Sequence, residues 1–488
     1  MKLHDFYSDS LSLLTDFYQL TMACGYWKVG LRDSEAIYHL HFRKNPFKGG
    51  YAVAAGLEAA ISFLEDFHYD SADLDYLSTL LDYDGNRYFS DDFLKYLSEL
   101  HFTCDIDAIP EGTLVFPQEP LIRVKGPIIQ CQLLESPLLN LINFPTLIAT
   151  KASRVKLAAN RDSVLEFGMR RAQGIDGALT ASRAAFIGGC QATSHVLAGK
   201  IFGIPVRGTH AHSWITAFDE EVDSFYAFAE AMPGNTIFLV DTYDTIQGVR
   251  NAIEVGMKLR EQGKKFYGIR LDSGDLAYLS IEARKMLDEA GFHETQIVAS
   301  NELDETVIAD LKKQGAQVAV WGVGTKLATA KDQAAIDGIY KLSAIKHPGS
   351  EWKYRLKLSE QMIKISNPGM LQVRRFYDDS MAIADVIYDE LEGTPETWTI
   401  VDPLDPTRVK TIPSSLTGHD LLVPIFRQGK LCYESPSISD IQKNTFNNMD
   451  QFHPGIKRFL NPHQYVVGME NKLYRLKVNL IKDIRHRA

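Results

Sequence analysis

Cysteine is scarce in this chain of 488 residues, which contains five of them. They are widely separated, odd in number and include no Cys-x-x-Cys pair: Cys24, Cys104, Cys131, Cys190 and Cys432. A disulfide framework or a zinc ribbon needs cysteines in pairs at short, regular spacings, so the sequence excludes both. The pattern is typical of reduced thiols and predicts a cytoplasmic protein.

Long apolar runs are also lacking. The most apolar stretch, residues 131–149, is interrupted by one glutamate, two prolines and two asparagines: Glu135, Pro137, Asn140, Asn143 and Pro145. A membrane-spanning helix needs about 20 apolar residues in succession. We therefore expect no membrane partner.

Positive charge is in short supply, because 52 Lys and Arg residues face 62 Asp and Glu residues, a net charge of −10. A nucleic-acid-binding protein draws its affinity from a basic surface, so the sequence predicts no nucleic-acid partner. Residues 151–213 depart from this average, with nine Lys and Arg against three acidic residues, a net of +6. This basic segment favours a small anionic substrate.

Strands and helices alternate between residues 235 and 326. Apolar runs predict strands at 237–241, 266–271, 296–299 and 318–322, and amphipathic spacing predicts helices at 244–262, 276–290 and 304–313. Gly263 and Gly291 follow two of these helices, where a C-cap glycine is common. Strands separated by such helices pair in parallel and form either an open doubly wound sheet or a (β/α) barrel.

Both architectures bind ligands at the C-terminal ends of their strands. Four predicted strands end in polar residues: Asp241-Thr242, Arg270 with Asp272-Ser273-Gly274-Asp275, Ser300-Asn301, and Gly322-Val323-Gly324-Thr325. We therefore expect the functional site at this edge of the sheet.

The length allows about three domains of about 150 residues. We predict an N-terminal α+β domain at 1–125, completed by chain from about 346–392, a (β/α) barrel-like catalytic domain at 126–345, and a C-terminal extension at 393–488. Alternation at 37–42 predicts a half-exposed strand. Residues 364–377 predict a hairpin around Pro368-Gly369, and residues 464–478 a C-terminal helix.

Histidine occurs in two alternating pairs. His210 and His212, in the segment GTHAHS, have three interpretations: two metal ligands, a nucleophile or general base, or structural side chains. A metal site would need a third ligand and supporting hydrogen bonds. His39 and His41 have no cysteine or acidic partner nearby in the sequence and are predicted to be structural.

Three further motifs each have a functional and an ordinary interpretation. RLDSGD, residues 270–275, is either a ligand-binding turn before a helix or a helix N-cap made by Asp272 or Asp275. GVGTK, residues 322–326, is similar to a phosphate-holding turn, although it is not a Walker A loop. Arg170-Arg171 favours either bidentate anion recognition or a solvated basic face.

Seven segments, in sequence order, resemble the nicotinate phosphoribosyltransferase family: LLTDFYQLTMACGYW (13–27), FRKNPFKGGYAVAAGLE (42–58), EFGMRRAQG (166–174), GTHAHSW (208–214), LVDTYDT (239–245), GIRLDSGDL (268–276) and WGVGTKLATA (321–330). The resemblance implies an α/β fold, with a type II phosphoribosyltransferase-like (β/α) barrel, an N-terminal α+β domain and a C-terminal extension. It implies that nicotinate and 5-phosphoribosyl diphosphate become nicotinate mononucleotide and pyrophosphate, the first step of NAD synthesis from nicotinate.

The resemblance further implies coupling to ATP hydrolysis through a transient phosphohistidine, with ATP as co-substrate. Mg²⁺ is expected to arrive with the diphosphate substrate, without a protein-only metal site. A homodimer with shared active sites is implied, because in this family the segment around Tyr18 can come from the neighbouring subunit.

Roles follow position by position. The resemblance makes His212 the transient phosphohistidine and assigns nicotinate binding to Tyr18, Thr209 and Arg270. The motifs and the resemblance together assign phosphoribosyl and pyrophosphate binding to Arg171, Asp272, Ser273, Gly274, Gly322, Gly324 and Thr325. The alternatives are a nicotinamide- or quinolinate-type phosphoribosyltransferase and a catalytically inactive, metabolite-binding relative.

Overall fold

The computed structural model describes residues 10–487. Its strands are β1 (Glu35–Phe42), β2 (Ala52–Val53), β3 (Asp105–Ala108), β4 (Leu114–Val115), β5 (Ile122–Pro127), β6 (Ser163–Glu166), β7 (Ala192–Thr193), β8 (Ile237–Leu239), β9 (Gly268–Leu271), β10 (Gln296–Ala299), β11 (Val320–Val323), β12 (Gly338–Lys346), β13 (Lys353–Tyr354), β14 (Leu371–Asp378), β15 (Met381–Asp389), β16 (Thr399–Val401), β17 (Val409–Thr411), β18 (Thr417–Asp420), β19 (Val423–Arg427), β20 (Lys430–Leu431) and β21 (Val467–Glu470).

The α-helices are α1 (Phe17–Lys28), α2 (Leu57–Glu65), α3 (Ser71–Ser78), α4 (Asp91–Ser98), α5 (Ile128–Leu133), α6 (Glu135–Ala159), α7 (Gly174–Ile187), α8 (Val196–Phe202), α9 (His212–Ile215), α10 (Glu221–Ala231), α11 (Thr245–Glu261), α12 (Leu276–Glu289), α13 (Glu305–Lys313), α14 (Thr325–Ala328), α15 (Ile438–Asp450) and α16 (Asn471–Arg487). Between residues 10 and 487, none of these helices combines the length and the apolar character that a bilayer crossing requires.

The chain divides into two compact units. Unit 1 contains the chain up to Thr146, Ala335–Ser437 and the chain from Asn444, and unit 2 contains Leu147–Ala334 and Ile438–Lys443. The boundaries of these units differ from the predicted domain boundaries, since residues 126–146 and most of the predicted C-terminal extension belong to unit 1. The three-domain division stays a prediction.

Unit 1 is built on two large sheets. A seven-stranded sheet has the order β13-β12-β1-β5-β3-β19-β20, and a six-stranded sheet has the order β17-β16-β21-β15-β14-β18. The larger sheet shares its hydrophobic core with α1, α2 and α5, through residues such as Leu20, Leu57 and Ile129.

Strand β1 was expected to be half exposed, and this expectation is wrong. Seven of its eight residues are buried, including both histidines. His39 accepts a hydrogen bond through Nε2 from the backbone N–H of Leu371, at 3.1 Å. Burial holds the pKa of His41 at about 3, helped by the nearby cation of Arg43. The polar face of the strand is therefore covered by protein, in keeping with a structural role for both histidines.

The chain after residue 360 differs from the sequence prediction in two places. The predicted hairpin around Pro368-Gly369 is wrong, because β14 pairs instead with β15, which follows it in the chain. The C-terminal helix begins at Asn471 and not near residue 464, since Val467–Glu470 pairs with β15 as a parallel strand. The Glu470 carboxylate accepts a hydrogen bond from the N–H of Lys472, at 2.7 Å, where the helix begins.

Unit 2 contains a parallel six-stranded sheet of order β7-β6-β11-β10-β9-β8, flanked by helices. The strands are short, apolar and largely buried, as parallel strands with both faces covered must be. The segment 206–208 lies between the two edge strands, β7 and β8. Val206 forms a backbone bridge with Thr193 of β7, and the Gly208 carbonyl accepts a hydrogen bond from the side-chain amide of Asn235, just before β8, at 3.1 Å. The expected α/β fold with parallel βα units is confirmed.

Local sequence explains why the predicted helices of unit 2 are found within two residues of their expected ends. Asp244, Asp275 and Asp304 each cap a helix by accepting a hydrogen bond from the N–H three residues later. Gly263 and Gly291 follow the ends of α11 and α12 with φ of 70° and 77°, a conformation that favours glycine.

Candidate functional site

The candidate site lies where β8, β9, β10 and β11 end. These strands are parallel neighbours, so their C-terminal residues meet at one edge of the sheet. The structure brings together side chains of the GTHAHS, LVDTYDT and RLDSGD segments and of Ser300 after β10, and it places the glycines of GVGTK beside Phe167.

Asp241, which follows β8, connects three of these segments. Its side chain has no exposed surface. Its Oδ2 accepts hydrogen bonds from the backbone N–H of Asp272 at 2.9 Å and from the hydroxyl of Ser273 at 2.6 Å. Its Oδ1 lies 3.3 Å from Nε2 of His212. The sequence placed Asp241 at the strand end but assigned it no role, because its partners lie about 30 residues away.

The two histidines of the GTHAHS segment have different surroundings. His212 begins α9, and 43% of its side chain is exposed beside Asp241. His210 is buried, accepts the N–H of Leu239 through Nε2 at 3.3 Å, and has Nδ1 at 3.4 Å from the Ala211 carbonyl. Both ring nitrogens of His210 thus face backbone groups, which disfavours a shared metal site on the pair.

Burial is the main reason why the pKa of His210 falls to about 4, and the nearby charges of Arg270 and His212 lower it further. His210 is therefore neutral near pH 7, as its acceptor role toward Leu239 requires. This histidine helps to hold the Gly208–Ser213 segment against β8.

Arg270, near the end of β9, makes three side-chain hydrogen bonds. Its Nε donates to the Ser300 hydroxyl at 2.8 Å, its Nη1 to the Thr209 hydroxyl at 3.1 Å, and its Nη2 to Oδ1 of Asp272 at 3.0 Å. The guanidinium carbon lies 5.6 Å from the ring centre of Phe167. Only 17% of the Arg270 side chain is exposed, so its orientation is set by these neighbours.

Each of the two interpretations of RLDSGD applies to one of its aspartates, Asp272 or Asp275. Asp275 is the N-cap of α12 and accepts from the N–H of Tyr278 at 3.1 Å. Asp272 instead faces Arg270 and Ser300. Gly274 turns the chain between them with φ of 76°. An ordinary cap therefore accounts for one aspartate and leaves the other at the strand end.

Phe167 connects Arg270 to the glycines at the end of β11. A Cβ atom on Gly322 would lie 2.6 Å from the Phe167 ring, so glycine is required for this contact. A Cβ atom on Gly324 would lie 3.1 Å from the Phe167 carbonyl oxygen. Thr325 opens the short helix α14 directly after this turn.

A buried carboxylate supports the turn that carries Phe167 and Arg171. Glu166 accepts hydrogen bonds from the hydroxyls of Ser182 at 2.9 Å and Thr193 at 2.6 Å, and from the backbone N–H of Gly168. Arg171 ends the following 3₁₀ turn and is exposed. Sequence reasoning missed the role of Glu166, although the residue stands at the start of a quoted motif.

The basic segment 151–213 is not one continuous basic surface. Lys151 is fully buried and pairs with Glu305 and Asp332, at 2.7 and 2.6 Å, and Arg154 also pairs with Glu305, at 2.8 Å. These cations are neutralised inside unit 2. The local excess of positive charge is thus smaller than the sequence count suggests.

Lys326 is likewise unavailable for phosphate in this arrangement. Its ammonium lies 2.6 Å from Asp304 Oδ2. Burial alone would raise the pKa of Asp304, but the hydrogen bond from Lys326 is among the contacts that lower it. The GVGTK turn therefore offers glycine backbone and Thr325 to a ligand, while its lysine is held by an aspartate.

Tyr18 belongs to unit 1, where it lies on α1 with 50% of its surface exposed. Its predicted contact with nicotinate stays a prediction. The residues brought together in unit 2 are Thr209, His212, Arg270, Asp272 and Ser273, with Gly322 and Gly324 joined to them through Phe167.

Known proteins similar to this chain were found at both the sequence and the structure level. Three family models match: the nicotinate phosphoribosyltransferase N-terminal domain over residues 13–143, the nicotinate phosphoribosyltransferase family over residues 163–354, and the nicotinate phosphoribosyltransferase C-terminal domain over residues 371–477. The nicotinate phosphoribosyltransferase of Bacillus subtilis (strain 168) is 44% identical over 99% of this chain and 98% of its own length. The human enzyme of the same name is 34% identical over 95% of each chain.

Among solved structures, human nicotinic acid phosphoribosyltransferase matches with a TM-score of 0.83 and 32% identity, covering 96% of this chain and 99% of the human chain. The nicotinate-nucleotide pyrophosphorylase from Pyrococcus furiosus has a TM-score of 0.66 at 22% identity, covering 92% of this chain and 99% of its own. The second likeness concerns the fold alone.

Proposed function

Because this chain belongs to the nicotinate phosphoribosyltransferase family, we propose that it joins nicotinate to 5-phosphoribosyl diphosphate. The pyridine nitrogen forms a bond to the anomeric carbon, and the bond from that carbon to pyrophosphate breaks, with its electron pair leaving on pyrophosphate. The products are nicotinate mononucleotide and pyrophosphate, which makes this the first step of NAD synthesis from nicotinate.

The observation that carries the proposal is the hydrogen bonding of Arg270. A guanidinium has five N–H groups. Three of them donate to Ser300, Thr209 and Asp272, and among the described residues 10–487 one N–H on Nη1 and one on Nη2 have no partner. Two such donors on neighbouring nitrogens match the two oxygens of a carboxylate. A carboxamide would present one acceptor and two further donors to the same fork, so this site favours nicotinate over nicotinamide.

The neighbouring strand ends suit the phosphoribosyl diphosphate. The Ser273 hydroxyl donates to Asp241, so the donors offered here are the backbone N–H groups of Gly274 and Gly324 and the guanidinium fork of the exposed Arg171. Departure of pyrophosphate leaves positive character on the anomeric carbon, so the site must hold the pyridine nitrogen in line with that carbon.

Mg²⁺ fits this edge of the sheet as a companion of the diphosphate. Within residues 10–487, Oδ2 of Asp272 accepts no hydrogen bond, whereas Oδ1 is taken by Arg270 and Ser300. Mg²⁺ is commonly held by one or two carboxylates together with substrate phosphates. Asp272 would hold it here, where the ion would neutralise charge on the departing pyrophosphate.

We further propose that ATP phosphorylates His212. With Nε2 facing Asp241, the Nδ1 nitrogen carries the lone pair that attacks the γ-phosphorus of ATP, and the bond from that phosphorus to ADP breaks. The ring retains its Nε2 proton and becomes positively charged, a charge that Asp241 stabilises. The new phosphoryl group adds negative charge beside the diphosphate site and so changes substrate affinity between the two states.

A cytoplasmic homodimer with shared sites completes the proposal. Helix α1 and the turn before it expose Leu14, Tyr18 and Met22, at 43%, 50% and 40% of their surfaces. Tyr18 and Met22 are four positions apart on α1 and so lie on one face of the helix, and Leu14 precedes the helix. Exposed apolar residues on the helix face that carries Tyr18 are suited to a second copy of the chain.

An assay of pyrophosphate and nicotinate mononucleotide formation tests the function, with nicotinate or nicotinamide as acceptor and with or without ATP. We expect turnover with nicotinate, enhancement by ATP, and at least about a hundredfold lower kcat/KM for nicotinamide. Equal turnover of the two acceptors would favour the nicotinamide-type alternative. Binding of nicotinate without release of pyrophosphate would favour the inactive, metabolite-binding alternative.

A further inference from the structure

Ser300 is a buried residue at the candidate site that the family resemblance does not assign. It follows β10, and 3% of its surface is exposed. Its hydroxyl accepts the Nε–H of Arg270 at 2.8 Å and donates to Oδ1 of Asp272. Its own N–H donates to the Leu271 carbonyl at 2.8 Å, which ties it to β9.

This arrangement joins Arg270 and Asp272 through one hydroxyl group. The hydroxyl has one proton, which is directed to Asp272, so its lone pairs face Arg270. The Arg270 plane is then fixed at Nε by Ser300, at Nη1 by Thr209 and at Nη2 by Asp272. Loss of the hydroxyl would leave the Nε–H without its acceptor on the side of the guanidinium that faces the buried Ser300.

The backbone around Ser300 is also constrained. Asn301, the next residue, has φ of 117°, a conformation that non-glycine residues rarely adopt. Such a conformation persists where the surroundings over-determine it, and it occurs preferentially at functional sites. On the other side, a Cβ atom on Gly322 would lie 3.4 Å from the Ser300 Cβ, so Ser300 lies beside the glycine of β11.

We propose that Ser300 is a positioning residue that orients the Arg270 guanidinium toward the nicotinate carboxylate. It thereby contributes to the preference for a carboxylate over a carboxamide. This inference rests on the proposed function, because it concerns the acceptor specificity of the same site.

The test is steady-state kinetics of Ser300→Ala, which removes the hydroxyl and leaves a side chain that fits. We expect the nicotinate KM to rise about 10- to 100-fold, the range for losing one hydrogen bond to a charged group. The KM for 5-phosphoribosyl diphosphate should rise less than that for nicotinate, because Asp272 keeps its hydrogen bond from Arg270, and the ratio of kcat/KM for nicotinate over nicotinamide should fall. Ser300→Cys, with weaker hydrogen bonds and similar size, should give an intermediate nicotinate KM.

Ser280→Ala provides the matched control. Ser280 is a buried serine of α12 whose hydroxyl bonds the Ala277 carbonyl and the Gln317 N–H, at 3.0 and 3.1 Å. This variant should leave the nicotinate KM unchanged.

An unchanged nicotinate KM in Ser300→Ala, or equal losses for both substrates, would overturn the positioning role. The proposed function has its own test, since it is wrong if the unaltered protein forms no nicotinate mononucleotide.

Discussion

Two arginine–aspartate pairs, one in each unit, show how a binding group differs from a structural one. In unit 1, Arg375 and Asp385 are both fully buried, with Nη2 of Arg375 lying 2.7 Å from Oδ2 of Asp385. In unit 2, Arg270 and Asp272 lie 3.0 Å apart, with 17% and 30% of their side chains exposed. Both pairs are joined by a short contact, but only the pair in unit 2 is accessible to a ligand.

The remaining N–H groups of Arg375 are enclosed by protein. Nη2 also donates to the Leu114 carbonyl at 2.8 Å, and the guanidinium carbon lies 5.7 and 4.9 Å from the ring centres of Phe116 and Phe452. The hydroxyl of Tyr465 donates to Asp385 at 2.9 Å. Within residues 10–487, Nη1 of Arg375 has no hydrogen-bond partner, but it is buried and closed to a ligand, whereas Arg270 keeps two donors at a partly exposed position.

The largest expected effect follows from breaking the buried pair. Arg375→Met leaves Asp385 buried without its cation and should lower the free energy of unfolding by about 3–5 kcal/mol. Arg270→Met should cost less than about 1 kcal/mol, because its partner is partly exposed. Urea denaturation followed by circular dichroism measures both. The double variant Arg375→Met/Asp385→Leu should recover part of the loss, and equal destabilisation by the two arginine variants would contradict the comparison.

A smaller effect follows from the burial of His210. The pKa of His210 is about 4 in the folded state, below the value of about 6.5 expected when unfolded. Its contribution to stability is therefore fully present above pH 6.5 and is lost as the pH falls toward 4, by up to about 3 kcal/mol.

The His210→Gln variant keeps a hydrogen-bond acceptor but cannot titrate. It should reduce the difference in unfolding free energy between pH 7 and pH 4.5. If the unfolding free energies of the variant and the unaltered protein change equally between pH 7 and pH 4.5, the low pKa assigned to His210 is wrong.

The fold of unit 2 was largely predictable because its determinants are local. Aspartate caps, C-cap glycines and apolar runs lie within a few residues of the elements they define, as with Asp244 and Gly263 around α11. The six-stranded sheet of unit 1 was not predicted, since β16 and β17 have three residues each and β16 pairs with β21, about 70 residues away in the sequence.

The candidate site was predictable in its residues but not in its connections. Position at a strand end identified Arg270 and Asp272, and the family resemblance identified His212. No local pattern shows that Asp241 joins His212 to Asp272, or that Glu166 supports the Phe167 turn. These contacts bring together residues that are up to 32 positions apart, as with Ser273 and Asp241.

The central claim is that side chains with free hydrogen-bonding atoms at the strand ends of unit 2 carry the chemistry. The most direct test is transfer of ³²P from γ-labelled ATP to the protein, with His212→Ala and His210→Gln compared under conditions that preserve phosphohistidine. The account predicts that His212→Ala loses the label with its fold intact and that His210→Gln keeps it. Labelling that persists in His212→Ala and disappears in a folded His210→Gln would contradict the account.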